Sequence, residues 1–204
     1  LSIGAMVTYD QLVRSDEAQA ARPILGRVAA TIADVQVRNR GTVGGNVCSN
    51  DPTNHLPPLL AAIGATFTIR SLEGERTVAV EDFFLGVYMT AVGPGELLTR
   101  ITVPARGEGE GDGWAALTLG KEGTGIVNVA ATVRGGRARI GIGCVAAVPV
   151  VVETEADEGA ARTAVDQAGL DPPSDVHASG EYRRYLAQVL AARAVKNAIE
   201  EARR

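Results

Sequence analysis

Three observations predict an α+β fold. Short strands and helices are mixed in the first half of the chain, a polar glycine-rich joint lies near the middle, and beyond it strands come first and helices follow. Strands segregated from helices favour α+β over a doubly wound parallel sheet. The joint is RGEGEGDG, residues 106–113, with no apolar side chain. It divides the sequence into a first unit, 1–105, and a second, 114–204.

Each element follows from local pattern. Residues 2–7, SIGAMV, read as a strand, and Thr8 caps a short helix, YDQLV. Over 16–33, Ala20, Ile24, Leu25, Val28, Ala29 and Ile32 recur at helical spacing, with a break at Pro23. Residues 35–37 read as extended, and NRGTVGGNVCSNDP (39–52) as a polar, flexible loop. LPPLLAAIGA (56–65) is a helix that opens at its prolines and closes at Gly64. TFTIRS (66–71) and RTVAV (76–80) flank LEGE as a hairpin; 81–87 is a helical turn, and ELLTRITVP (96–104) a strand ended by proline. In the second unit, GIVNVAATVR (125–134) and ARIGIGCVAAV (138–148) pair around Gly135 and Gly136, and VPVVVE (148–153) adds a third strand. Helices follow over 155–168, ended by Gly169, and over 179–202, capped by Ser179.

Composition excludes several functions. The chain has 204 residues, 46% of them hydrophobic, enough for a real core, and a net charge of −4. No basic stripe points to nucleic acid, and no apolar run is long enough to span a bilayer. With no signal-like start, a cytoplasmic location is expected. Cys48 and Cys144 are far apart and make neither a disulfide framework nor a zinc pattern. His55 and His177 lack ligand spacing, so no metal site is expected. Asp51 and Asp82 read as cap or surface acids, and no catalytic residue is assigned.

The 39–52 segment carries the chemistry. Glycines let backbone N–H groups converge on a phosphate, and Thr42, Asn46 and Ser49 add side-chain donors beside Gly44 and Gly45. A structural glycine–asparagine turn explains the same residues. The spacing is not G-x-G-x-x-G, which disfavours a Rossmann-type dehydrogenase, and Gly120–Lys121 is followed by Glu122, so there is no P-loop.

With its flanks, VRNRGTVGGNVCSNDPTNHLPPLLAA resembles the second flavin-binding segment of the FAD-binding subunits of molybdenum hydroxylases, the family of xanthine dehydrogenase and aerobic carbon monoxide dehydrogenase. SIGAMVTYDQL, EDFFLGVYMTAVGPGELLTRITVP and SDVHASGEYRRYLAQVLAARAV resemble further segments of that family, in the same order. The resemblance implies the second lobe of a two-lobed FAD-binding domain followed by a smaller α+β C-terminal domain. It implies a subunit that takes electrons from [2Fe-2S] clusters of an iron–sulfur small subunit and passes them through FAD to an external acceptor. A molybdopterin-binding large subunit would oxidise the substrate, in a heterohexamer built as a dimer of heterotrimers. Thr42, Val43, Gly44, Gly45 and Asn46 match the flavin-contacting turn, expected at the diphosphate and ribityl chain, with Ser49 and Asp51 beside it. Leu98 matches a residue that packs near the isoalloxazine ring. His55 stands where the family usually has an acid, and Lys121 is nearest to a family lysine or arginine. Family members begin with another lobe, which these 204 residues do not contain, so the chain alone is expected to bind FAD weakly. A non-catalytic assembly module that docks the other subunits is the alternative.

Overall fold

The computed structural model describes residues 1–120 and 123–204. The chain opens with β1 (Ser2–Gly4) and then six short helices: α1 (Tyr9–Arg14), α2 (Asp16–Ala21), α3 (Ile24–Ala29), α4 (Val35–Arg40), α5 (Val43–Ser49) and α6 (Leu56–Ile63). β2 (Thr66–Arg70) and β3 (Glu75–Ala79) form the expected hairpin, α7 (Val80–Phe83) is one turn, and β4 (Phe84–Gly86) folds back on β5 (Met89–Thr90). β6 (Leu97–Thr102) returns between β1 and β2, giving an antiparallel sheet of order β1-β6-β2-β3. The second sheet is a meander of β7 (Gly111–Thr118), β8 (Gly125–Arg134), β9 (Arg137–Gly143) and β10 (Val150–Glu155), each strand beside its sequence neighbour. α8 (Glu158–Gln167) and α9 (Gly180–Ala202) pack on it, so the α+β architecture is as expected.

Two apolar clusters hold these layers. One joins the first sheet to α1, α3 and α6, with Phe67 stacked on Phe83 at 3.8 Å between ring centroids. Every residue of α6 is buried, because it lies against the first sheet's cluster and the second sheet at once. The other cluster joins Ile140 and Ile142 to Leu190, Ala194 and Val195 of α9.

Three expectations are corrected. Residues 35–37 are not extended but open α4, because the Asp34 carboxylate accepts from Val37 N–H at 2.8 Å and caps a helix there. The flexible loop at 39–52 contains α5. The segment 106–113 is partly strand, since β7 begins at Gly111. A Cβ on Gly111 would fall 1.9 Å from Ala198 O, and one on Gly113 would fall 1.8 Å from Ala194 O. These glycines lay the strand backbone flush against α9, which is why a strand reads as a joint in sequence.

A buried ion pair fastens the first helices to the second sheet. Arg22, at the break between α2 and α3, donates from Nε and Nη2 to both carboxylate oxygens of Asp112, at 2.8 and 2.7 Å. Its Nη1 donates to Pro104 O at 3.0 Å, and Thr132 donates to Asp112 Oδ1 at 2.8 Å. Both charged side chains are at most 2% exposed. Above them, Glu201 of α9 accepts from Arg27 and Arg106.

Arg22→Ala is expected to lower the unfolding free energy by about 3–5 kcal/mol by stranding Asp112, whereas Arg22→Met with Asp112→Leu recovers most of that loss in the same urea titration. Gly113→Ala is expected to lower it by about 1–3 kcal/mol through overpacking against α9, and a midpoint equal to the parent's would contradict the flush contact.

Candidate functional site

α5 exists because both of its ends are tied. Thr42 is extended (φ −108, ψ 154) and its Oγ1 accepts from Gly45 N–H at 3.0 Å; Asn50, at φ +39, ends the helix in the left-handed region. Val43 and Val47 fill the core beneath. Val43 N–H donates to Val7 O at 2.9 Å, Gly44 N–H to Ala5 O at 2.8 Å, and Asn46 N–H to Thr42 O at 3.0 Å. The amides from Val43 to Asn46 are therefore all engaged within the chain. The Gly44 and Gly45 amides, expected at a diphosphate, here hold the turn on the 5–7 loop and on its own cap.

The two glycines serve opposite sides. A Cβ on Gly44 would lie 2.6 Å from both Cβ and O of Ala5, so Gly44 faces inward and permits close packing. A Cβ on Gly45 would meet Thr42 Oγ1 at 2.9 Å and nothing else within 4 Å, and Gly45 is exposed. The outer face of the turn is thus bare backbone beside the Thr42 hydroxyl. Such a face admits a bulky ligand at close range. The side-chain group beside it, the Thr42 hydroxyl, is neutral.

Polar side chains close the site behind α5. Ser49 donates to Asn46 O at 2.8 Å, and Asn54 Nδ2 donates to Asn46 O at 2.9 Å and Ser49 Oγ at 3.0 Å. Asn128 Nδ2 on β8 reaches Thr53 O and Asn54 O at 3.4 and 3.3 Å. Asp51 Oδ1 accepts from the Thr53 N–H and hydroxyl, and its Oδ2 accepts from Tyr88 at 3.1 Å. Burial alone would raise its carboxyl pKa, but these donors together hold it below the usual carboxylate range. Asn50 Nδ2 donates to Gly86 O at 2.7 Å and Tyr88 N–H donates to Asn50 O at 3.2 Å, which clasps the β4–β5 hairpin to the end of α5.

Among the described residues, four buried side-chain polar atoms lack a partner: Asn46 Oδ1, His55 Nε2, Asn128 Oδ1 and Arg183 Nε. The first three border the 46–55 segment. Buried polar groups without a partner are rare, and each calls for an explanation. His55 is 6% exposed, its ring lies 5.5 Å from Trp114, and burial pushes its pKa down to about 4, so it is neutral.

The structure thus brings Thr42, Gly44, Gly45, Asn46 and Ser49 together on α5, whereas His55 lies at the start of α6 with its ring beside Trp114. Val43 belongs to the core, and the Asp51 carboxylate is committed to Thr53 and Tyr88. Leu98, partly buried, lies on β6 beside Thr99, whose O accepts from Ala5 N–H at 3.0 Å. Lys121 lies outside the described residues. Sequence reading missed Ala5, Asn54 and Asn128; Asn54 sits within the quoted SNDPTN run, but the other two meet the turn only through the tertiary fold. Two clefts of about 380 and 330 Å³ are lined by none of residues 42–55. Among the described residues no cluster of histidine, cysteine, aspartate and glutamate could hold a metal ion, and no helix is long and apolar enough to cross a membrane.

Residues 1–106 match the family described as FAD binding domain in molybdopterin dehydrogenase. The chain is 38% identical over 212 residues to the carbon monoxide dehydrogenase medium chain of Afipia carboxidovorans, covering 96% of this chain and 73% of that one. It is 32% identical to the 6-hydroxypseudooxynicotine dehydrogenase complex subunit alpha of Paenarthrobacter nicotinovorans, covering 100% and 74%. Among solved structures, CO dehydrogenase from Oligotropha carboxidovorans superposes with a TM-score of 0.90 at 36% identity, over 98% of this chain and 75% of that one. Quinoline 2-oxidoreductase from Pseudomonas putida 86 superposes with a TM-score of 0.87 at 34% identity, over 99% and 75%. The chain belongs to the FAD-binding medium subunits of the molybdenum hydroxylase family.

Proposed function

We propose that this subunit carries FAD on the outer face of α5 and there relays electrons from iron–sulfur clusters of a small subunit to an external acceptor. The observation that carries the placement is the bare backbone at Gly45 beside the Thr42 hydroxyl, joined by the unpartnered Asn46 Oδ1. When bound, FAD supplies the redox chemistry, and the protein's part is to seat it. Thr42 offers a hydroxyl, Asn46 an amide oxygen, and Ser49 with Asn54 a polar flank. Gly45 admits the ligand to the backbone, and Leu98 gives an apolar wall on the β6 side. No side chain here is required as an acid or base. A molybdopterin-binding large subunit completes the assembly, with two such heterotrimers in the complex and a cytoplasmic location that suits its free cysteines.

The two glycines separate binding from folding. Gly45→Ala is expected to weaken FAD binding at least about tenfold by fluorescence titration, with a smaller loss of melting temperature than Gly44→Ala, since its Cβ meets only the Thr42 Oγ1 at the end of a side chain. Gly44→Ala is expected to destabilise the fold itself by about 1–3 kcal/mol, because its Cβ meets Ala5. Equal effects of both on binding and melting would argue against the outward role of Gly45.

Removing FAD from the purified complex is expected to stop electron delivery to the acceptor while substrate still reduces the partner's iron–sulfur clusters, read by their paramagnetic signal. Delivery at an undiminished rate would refute the relay.

His55 sets a pH dependence. Its folded pKa of about 4 lies below the unfolded value near 6.5, so the unfolded state binds more protons between them. Its contribution is fully present above pH 6.5 and is lost as pH falls towards 4, amounting to about 3 kcal/mol. His55→Gln is expected to flatten the stability profile over that window in parallel chemical denaturation series.

A further inference from the structure

We infer that Asn128, on β8 of the second sheet, is a positioning residue for the cofactor: it fixes the backbone of residues 53 and 54 and, through the Asn54 side chain, the far end of α5. This rests on the proposed seat of FAD at α5.

Three successive carbonyls show the clamp. Cys144 N–H donates to Pro52 O at 3.0 Å, and Asn128 Nδ2 donates to Thr53 O at 3.4 Å and to Asn54 O at 3.3 Å. Asn128 lies on β8 and Cys144 just past the end of β9, so the second sheet supplies all of these donors. Cys144 makes its bond from the left-handed region, at φ +68, where a residue other than glycine is strained.

The amide of Asn128 has one place to stand. The residue is fully buried, and two glycines leave the room for it. A Cβ on Gly143, its partner across the β8–β9 ladder, would fall 2.1 Å from Asn128 Oδ1. One on Gly125 would fall 3.1 Å from both Asn128 Nδ2 and Thr53 O. Such glycines mark a close approach within a strand. Among the described residues Asn128 Oδ1 has no donor, which is a cost that an apolar side chain would avoid. Filling the core is therefore a poor account of an asparagine here. Its side-chain bonds all go to the 53–54 backbone.

From that backbone the path to α5 is short. Asn54 Nδ2 donates to Asn46 O at 2.9 Å and to Ser49 Oγ at 3.0 Å. A shift of residues 53 and 54 is thus carried to Asn46 and Ser49. Asn128 acts through Asn54 and need not touch the cofactor itself.

The test is a double-mutant cycle on the whole subunit in its complex, freed of FAD. FAD affinity is read by fluorescence titration, and unfolding of the flavin-free protein by calorimetry. Asn54→Ala and Asn128→Ala are each expected to raise the FAD Kd about three- to tenfold. In the Asn54→Ala background, adding Asn128→Ala is expected to change the Kd less than about twofold, while still lowering the melting temperature. A lowered melting temperature with an unchanged Kd for Asn128→Ala alone would make the residue merely structural and overturn the inference. Equal fold-changes of Kd in both backgrounds would overturn it too. If Asn128→Ala does not assemble, Asn128→Ser takes its place in the cycle, since its shorter side chain leaves a smaller void and cannot span both carbonyls. Gly45→Ala reports on the seat: an unchanged Kd there removes FAD from α5 and this inference with it. A Gly45→Ala effect without an Asn128 effect overturns the inference alone.

Discussion

The Arg22–Asp112 pair is the constraint on which the arrangement of the two sheets depends. Taking both charges out of water is expensive, and only full hydrogen bonding makes it tolerable. Each carboxylate oxygen accepts from the guanidinium, Thr132 supplies a further donor, and Pro104 O takes up another arginine proton. Four separate stretches, around residues 22, 104, 112 and 132, must therefore arrive together. The pair makes poor glue by itself, since matched apolar residues often do as well. It acts instead as a registration mark, because sliding the helices against the meander strands a charge. α6, buried on every side, is held in the joint that this registration creates.

Much of the fold was legible in local pattern. Thr8 and Ser179 cap helices as their residue types require, and Gly64 ends α6 at φ +67. The hairpins at 66–79 and 125–143 follow from alternation and turn glycines. The failures share one cause. Glycine is read as freedom in a sequence, yet at Gly44, Gly111 and Gly113 it marks places where another backbone approaches too closely for a Cβ. β7 and α5 were hidden for that reason.

The site was legible as a list and illegible as a mechanism. The GTVGGN run located the residues, but the destination of each amide proton depends on Ala5 and Val7, which lie nearly forty residues earlier. Likewise, nothing in DPTNHLPP shows that Asp51 is claimed by Tyr88 or that His55 lies against Trp114. These are facts of tertiary approach.

A helix of seven residues has no business standing alone in water, for its nucleation cost exceeds what so few bonds return. α5 stands because it is riveted at both ends, to the 5–7 loop at its start and to the β4–β5 hairpin at its finish. A guest arriving at its outer face meets a surface already set, and little of the binding energy is spent on freezing the host. The hairpin therefore acts as a remote buttress, and loosening it at Asn50 would be felt as slack some ten ångströms away, at the first turn of α5.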